Sequence, residues 1–216
     1  MIDWGYLAQG PCYPAAVWNC RTAGKCASKL VEAIHKVSDA HMHVIGFSLG
    51  AHVSGYISNY LTGKTIDRIT GLDPALPGFT TVPPDKKLDR SDAKFVDVIH
   101  TNAFMEGNFQ QLGDIDFYIN GGIVQPGCTV FRNQFNFLEL ISCSHHLSLN
   151  YFGESINTAI GFWGSYCNSY FHYLISQCTD YDNLELMGEY VNQKKRGTYI
   201  VYTNPSPPYA KGFTTA

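Results

Sequence analysis

The sequence predicts an α/β protein built on a mostly parallel sheet that is covered by helices on both faces. Short apolar runs at 44–45, 66–72 and 95–99 alternate with helical periodicity at 15–37 and 49–61. Strands that alternate with helices indicate parallel strands joined by helical crossovers. In such sheets, reactive groups gather at the carboxyl ends of the strands.

Each element has a local signal. The first helix begins near Pro14, a residue favoured in the first helical turn. Its apolar residues recur at three- and four-residue spacing: Val17, Ala27, Leu30, Val31 and Ile34. The first strand ends at Gly46, the second ends in Asp73-Pro74, and the third ends in His100.

The composition narrows the class of protein. Charged residues make up 15% of the 216-residue chain and aromatic residues 14%, which excludes a disordered protein and indicates a globular one of one large or two small domains. The net charge is −3 and no run of five like charges occurs, so no nucleic-acid partner is predicted. No apolar stretch is long enough to predict a transmembrane span.

Seven cysteines indicate disulfides, because the chain has no Cys-x-x-Cys pair and no histidine at zinc-ligand spacing. Disulfides belong to an oxidising compartment, which proteins reach through a secretory signal. Residues Met1 to Trp4 have neither the basic flank nor the apolar stretch of such a signal. We therefore predict a secreted, extracellular protein whose signal peptide lies upstream of this chain.

A Gly-x-Ser-x-Gly motif, Gly46 to Gly50, lies between the first predicted strand and the second predicted helix. A serine on such a sharp turn has a strained backbone, and side chains at Gly46 and Gly50 are expected to clash. The turn directs the N–H of Leu49 at the reacting carbon, as half of an oxyanion hole. Ser48 is therefore the candidate nucleophile, and an ordinary glycine-rich turn is the alternative.

A serine nucleophile requires a general base and an acid that orients this base. Asp73 ends the strand after Ser48, so its carboxylate is expected at the same sheet edge. His145, His146 and His172 follow Asp73 in predicted loops or near helix starts. We favour His145, which lies just after a cysteine and beside a helix-like pattern, although spacing alone leaves His146 open. The earlier histidines are interpreted as surface or core residues: His35, His41, His43 and His52.

Six segments also match, in order, the pattern of a known family: His43–His52, Gly71–Ala75, Ser91–Thr101, Asp116–Gly122, Gln125–Cys128 and Cys143–His145. They resemble the pancreatic-lipase-like branch of the α/β-hydrolases, which includes insect secreted lipases and the phospholipase A1 enzymes of wasp venoms. The resemblance implies an α/β-hydrolase fold with residues 1–216 as a single, partial lipase domain. It also implies a Ser48, Asp73, His145 triad, and it selects His145 over His146.

The implied activity is hydrolysis of carboxylic esters in lipids, of the phospholipase A1 or triacylglycerol lipase type, through an acyl-enzyme. The implied partner is lipid substrate at a membrane or micelle interface. Two other functions are alternatives: a non-catalytic lipid-binding or yolk-type relative, which would typically lack the serine, and another hydrolase chemistry such as a peptidase or general esterase. An inactive truncated copy is a third.

The resemblance implies disulfides Cys128–Cys143 and Cys167–Cys178, and we expect Cys12 to pair with Cys26, which leaves Cys20 as the odd thiol. The first disulfide would close a lid at 129–142. Apolar side chains there suit a lipid interface: Val130, Phe131, Phe135, Phe137, Leu138, Leu140 and Ile141. A hairpin packed on the body is the alternative. Short lids accompany the phospholipase A1-like members, which favours phospholipid as substrate.

The family resemblance also implies a calcium site in the loop before the third strand. Asp89 and Asp92 fall on its carboxylate positions, with carbonyls from around Pro84 and Lys87, and oxygen ligands suit Ca²⁺. The alternative is a pair of solvated loop carboxylates. The chemistry requires no cofactor, so such an ion would be structural.

The family pattern begins upstream of this chain. The fold is therefore expected to lack its first strands, and the other oxyanion donor is expected in a glycine-containing loop before Asp3. One missing donor lowers turnover by about a hundred- to a thousand-fold. We expect the 216-residue chain alone to be poorly active, and the complete gene product to be an active lipase or phospholipase.

Overall fold

The computed structural model describes residues 1–63, 65–129, 137–180 and 182–212. These residues form a sheet with the strands β1 (His43–Phe47), β2 (Ile66–Leu72), β3 (Ala93–His100), β4 (Ile115–Ile119), β5 (Phe162–Cys167), β6 (Leu184–Met187) and β7 (Gly197–Val201). The strand order is β1-β2-β3-β4-β7-β5-β6.

The first four strands and β7 are parallel, whereas β5 runs antiparallel to both β7 and β6. Gly46 of β1 pairs with Gly71 of β2, and Leu72 pairs with Ile99 of β3. The carboxyl ends of β1, β2 and β3 therefore lie side by side. The predicted mostly parallel α/β sheet is confirmed.

The described helices are α1 (Tyr13–Val37), α2 (Leu49–Asn59), α3 (Pro126–Thr129), α4 (Phe137–Ser155) and α5 (Tyr170–Leu174). Val31 of α1 and Ile57 of α2 pack with Ile69 and Val96 of the sheet. Tyr151 of α4 belongs to a separate apolar cluster that includes residues of β3 and β4. None of the described helices is long and apolar enough to cross a membrane.

Two of the expected disulfides are present. Cys128–Cys143 joins α3 to α4 with a Cα–Cα distance of 5.8 Å, and Cys167–Cys178 joins β5 to the segment after α5 with a Cα–Cα distance of 4.9 Å. The first disulfide fixes one side of α4, the helix that contains His145.

The expected pairing of Cys12 with Cys26 is wrong. Cys12 directly precedes α1 and Cys26 lies inside it, so the helical rise separates them by roughly 20 Å. A disulfide requires Cα atoms within about 7 Å. Both thiols are free and exposed, and Cys20 is free and buried.

The expected lid at 129–142 lies largely outside the described residues. Val130, Phe131 and Phe135 lie outside them, as do the side chains of Phe137, Leu138 and Leu140. Ile141 is partly buried, within α4.

Candidate active site

Ser48 lies on the sharp turn between β1 and α2. Its backbone has φ 55° and ψ −121°, a conformation that residues other than glycine rarely adopt and that is often found at functional sites. The Ser48 N–H donates to the Leu72 carbonyl at 3.0 Å, and the Ser48 carbonyl accepts from the Ala75 N–H at 3.2 Å. These two bonds hold the turn against the carboxyl end of β2.

The glycines of the motif differ in their surroundings. A Cβ at Gly46 would lie 2.3 Å from the carbonyl oxygen of Gly50, so this position requires glycine. A Cβ at Gly50 would meet no described atom within 4 Å. The predicted clash is therefore correct for Gly46 and wrong for Gly50, because only the Cβ position at Gly46 falls on the neighbouring backbone.

Leu49 is the first residue of α2. The first N–H groups of a helix have no acceptor within it, and the helix dipole favours negative charge at this end. The Leu49 N–H can therefore donate to an anion that forms beside Ser48.

Asp73 directly follows β2 and is fully buried. Its Oδ1 accepts from the N–H groups of Thr101 and Asn102 at 2.8 and 3.1 Å, and its Oδ2 lies 2.6 Å from Nδ1 of His145. A Cβ at Gly107 would lie 2.4 Å from both carboxylate oxygens. The carboxylate is thus oriented by two backbone donors and closely covered by a glycine.

His145 lies inside α4, well past its first residue, and only 4% of it is exposed. The expectation of a loop or helix start is wrong here, because α4 begins as early as Phe137. With Nδ1 donating to Asp73, a neutral ring has its lone pair on Nε2. No hydrogen bond to this Nε2 occurs among the described residues, so it can accept a proton.

The ring of Phe47, the residue before Ser48, lies next to this histidine, with ring centroids 4.6 Å apart. The alternatives to His145 have other partners. His146 Nδ1 lies 2.7 Å from the Ser142 carbonyl, and His172 Nδ1 lies 2.7 Å from the Ser169 hydroxyl. The Phe47 ring also lies near that of His146, with ring centroids 5.2 Å apart. The hydrogen bond to Asp73 therefore distinguishes His145 from its neighbour.

Gln125 is a supporting residue that the sequence did not reveal. Its Nε2 donates to the carbonyls of Thr101 and Ile119 at 2.9 and 2.8 Å, and its N–H donates to the Ser144 hydroxyl at 3.1 Å. Gln125 thereby links Thr101, whose N–H donates to Asp73, to Ser144, the residue before His145. In the sequence, Gln125 stands out only as part of the family-like segment Gln125–Cys128. This segment does not indicate what the residue does.

A second buried histidine–carboxylate pair lies at the ends of β3 and β4. His100 Nε2 is 2.8 Å from Asp116 Oδ1, and His100 Nδ1 is 2.7 Å from the Asn108 carbonyl. Asp116 also accepts from the N–H groups of Leu112 and Gly113, both at 3.0 Å. Both ring nitrogens of this histidine are therefore occupied.

The predicted calcium ligands lie in the loop before β3. Asp92 Oδ2 accepts from the Asp89 N–H at 2.8 Å, while Asp89 Oδ1 accepts from the N–H and hydroxyl of Ser91. Burial raises the pKa of Asp92 to about 7. The described residues contain no group of three or more His, Cys, Asp or Glu side chains suited to a metal. Carboxylate oxygens such as those of Asp89 and Asp92 are donors that Ca²⁺ prefers, whereas the Pro84 carbonyl already accepts from the Lys87 N–H at 3.1 Å.

A mostly parallel sheet with a strained serine between β1 and α2, and an aspartate after β2, defines an α/β-hydrolase fold. A model of the lipase family matches residues 1–209. The chain belongs to this family, in its pancreatic-lipase-like branch.

Three relatives illustrate the similarity. Lipase member H-A of Xenopus laevis is 35% identical over 99% of this chain and 46% of its own length. Pancreatic lipase-related protein 2 of Cavia porcellus is 40% identical over 82% of the chain and 40% of its own length. Pancreatic triacylglycerol lipase of Oryctolagus cuniculus is 37% identical over 86% of the chain and 44% of its own length. The chain thus spans less than half the length of these relatives.

Proposed function

We propose that the protein hydrolyses carboxylic esters of lipids, with Ser48 as nucleophile, His145 as general base and Asp73 as the group that orients it. The main support is the buried 2.6 Å contact between Asp73 Oδ2 and His145 Nδ1, beside a serine turn. Membership of the lipase family supports lipid esters as the substrate class.

The proposed reaction has two steps. His145 Nε2 takes the proton of Ser48 as Oγ attacks the ester carbonyl, and the protonated ring then gives this proton to the leaving alcohol. Water, deprotonated by the same ring, hydrolyses the acyl-enzyme and releases the fatty acid. Asp73 holds the ring orientation and stabilises the imidazolium. The Leu49 N–H stabilises the oxyanion in both steps.

Within this class we propose a phospholipase A1 type of activity at a membrane or micelle surface. Cys128 and Cys143 are separated by 15 positions, and a short segment at this place resembles the phospholipase A1-like members of the family. The two disulfides support a secreted protein, because such bonds persist in oxidising compartments.

We also propose that Asp89 and Asp92 hold a structural calcium ion. The ion would supply positive charge to a carboxylate whose pKa is raised by burial. Calcium at 100 times its Kd should stabilise the fold by about 2.7 kcal/mol, measured by urea unfolding against a chelator control. The same addition should have little effect on Asp92→Asn. Equal stabilisation of both proteins contradicts the site.

The function is tested with the complete gene product, by hydrolysis of phosphatidylcholine vesicles, a triolein emulsion and a short soluble ester. Ser48→Ala should lower the rate by at least about a thousand-fold. Ser54→Ala is the matched control, since it removes a buried hydroxyl of α2 that donates to the Gly50 carbonyl. Full activity of Ser48→Ala, or equal losses in both variants, contradicts the proposal. A faster rate on triolein than on phosphatidylcholine contradicts the phospholipid preference.

A further inference from the structure

His52 lies in α2, one helical turn after Ser48, and is fully buried. Its Nε2 is 2.8 Å from the Ala75 carbonyl, and its Nδ1 is 3.0 Å from the Leu88 N–H. Its ring stacks on Phe79 with ring centroids 3.6 Å apart. The imidazole of α2 therefore contacts two further segments of the chain, residues 75–79 and Leu88.

These partners fix the protonation of the ring. A backbone N–H donates to Nδ1, so Nδ1 has the lone pair, and a carbonyl at Nε2 accepts, so Nε2 has the proton. Burial lowers the pKa of His52 to about 4, which agrees with a neutral ring. This ring therefore has no nitrogen left for a substrate, and any influence on the reaction passes through its partners.

The Ala75 partner connects this ring to the candidate active site. Ala75 lies two residues after Asp73, and its N–H donates to the Ser48 carbonyl at 3.2 Å. Its carbonyl accepts from His52. Both polar groups of this residue are thus held by Ser48 and α2, which sets the spacing between Asp73 and Ser48.

We propose that His52 is a positioning residue, which acts through the Ala75 carbonyl to fix where Asp73, and with it His145, lies relative to Ser48. The inference rests on the proposed ester hydrolysis for its kinetic consequence. A displacement of about 1 Å in an active site can lower turnover by about a hundred-fold, so loss of this one hydrogen bond should be measurable.

Two substitutions separate positioning from simple packing. In His52→Gln, the amide nitrogen occupies the place of Nε2 and still donates to the Ala75 carbonyl. In His52→Asn, the amide oxygen occupies the place of Nδ1 and accepts from the Leu88 N–H, while the Ala75 bond is lost. Both variants lose the stacking on Phe79, and Asn leaves the larger cavity. A packing role therefore predicts a lower free energy of unfolding for His52→Asn but no difference in kcat per folded molecule.

We expect His52→Asn to lower kcat about 10- to 100-fold with KM nearly unchanged, and His52→Gln to stay within about threefold of the wild-type kcat. Urea unfolding measures the stability of both variants, and rates are expressed per folded molecule. Equal losses in the two variants, a larger loss in His52→Gln, or no loss in either overturns the proposal.

A readout without turnover separates this inference from the proposed function. The His145 Nδ1 proton, bonded to Asp73, should give a low-field proton resonance in ¹⁵N-histidine-labelled protein, which is assigned by its loss in Asp73→Asn. It should shift or vanish in His52→Asn and persist in His52→Gln. The resonance of the His100–Asp116 pair should persist in both variants. If Ser48→Ala keeps full activity, the proposed function fails, and an unmoved His145 resonance in His52→Asn overturns the positioning role independently.

Discussion

Two buried histidine–carboxylate pairs lie near the same edge of the sheet, with N–O distances of 2.6 Å for His145–Asp73 and 2.8 Å for His100–Asp116. They differ at the second ring nitrogen. In His100 it faces the carbonyl of Asn108, whereas in His145 it has no hydrogen-bond partner among the described residues. A buried pair can therefore transfer protons only where one ring nitrogen has no partner. We call His145–Asp73 the open pair and His100–Asp116, which stabilises the fold, the closed pair.

The carboxylates differ in a matching way. Asp116 accepts from two N–H groups of its own turn, those of Leu112 and Gly113. Asp73 accepts from Thr101 and Asn102 of a different strand end. The first arrangement stabilises a local loop, whereas the second brings together a carboxylate that follows β2, a histidine of α4 and backbone donors that follow β3.

The largest expected effect tests the open pair. His145→Gln should lower turnover on lipid esters by about 10⁴-fold, because the serine loses its base. Because this variant also breaks a buried pair, its free energy of unfolding should fall as well, and turnover is therefore expressed per folded molecule. His146→Gln is the control, since this neighbouring ring is exposed, and it should retain turnover within about twofold. A similar loss in both variants would remove the distinction between the two neighbours.

The next effect tests the closed pair. Asp116→Asn leaves His100 without its carboxylate, and breaking a buried pair costs about 3–5 kcal/mol of unfolding free energy. Urea unfolding monitored by tryptophan fluorescence measures this loss. Turnover per folded molecule should stay within about threefold of wild type. A stable but inactive Asp116→Asn protein would show that the closed pair takes part in the reaction.

Substitution of His52 should have a smaller effect on the free energy of unfolding, because this neutral ring has backbone partners and no carboxylate. Its folded pKa is lowered by burial to about 4, below the ordinary value of about 6.5. Its contribution to stability is complete above pH 6.5 and is lost as the pH falls towards 4, with a slope of about 1.4 kcal/mol per pH unit. Urea unfolding between pH 7 and 5 should show a shallower pH dependence for His52→Gln. An unchanged slope would show that the folded ring takes up a proton as readily as the ring in the unfolded chain.

The two pairs also show what the sequence could predict. Ser48 and Asp73 could be found because each directly follows a strand with a clear apolar pattern, and parallel strands end at one edge. The position just after Cys143 favoured His145, and the family resemblance selected it over His146, because spacing alone cannot distinguish two adjacent residues. The partners of His100 could not be found, since one contact depends on the loop that contains Asn108 and the other on the register between β3 and β4, the strand that contains Asp116.

Other features that the sequence did not predict also depend on contacts between distant residues or on the exact bounds of helices. The pairing of Cys12 with Cys26 failed because α1 includes Cys26 and keeps the two thiols far apart. Local periodicity predicted β1, β2 and β3. In the sheet, β7 lies between β4 and β5, and β5 pairs antiparallel with both of its neighbours, an arrangement that local periodicity does not encode. Gln125 contacts residues far away in the sequence, so its supporting role follows only from the fold.

The most direct test of the open pair is covalent labelling with a fluorophosphonate probe, followed by mass spectrometry of the labelled peptide. The account predicts a label on Ser48 in wild type, a similar rate per folded molecule in Asp116→Asn, and a rate lower by at least about a hundred-fold in His145→Gln. An unlabelled Ser48 in the folded protein, or labelling of His145→Gln at the wild-type rate, would contradict it.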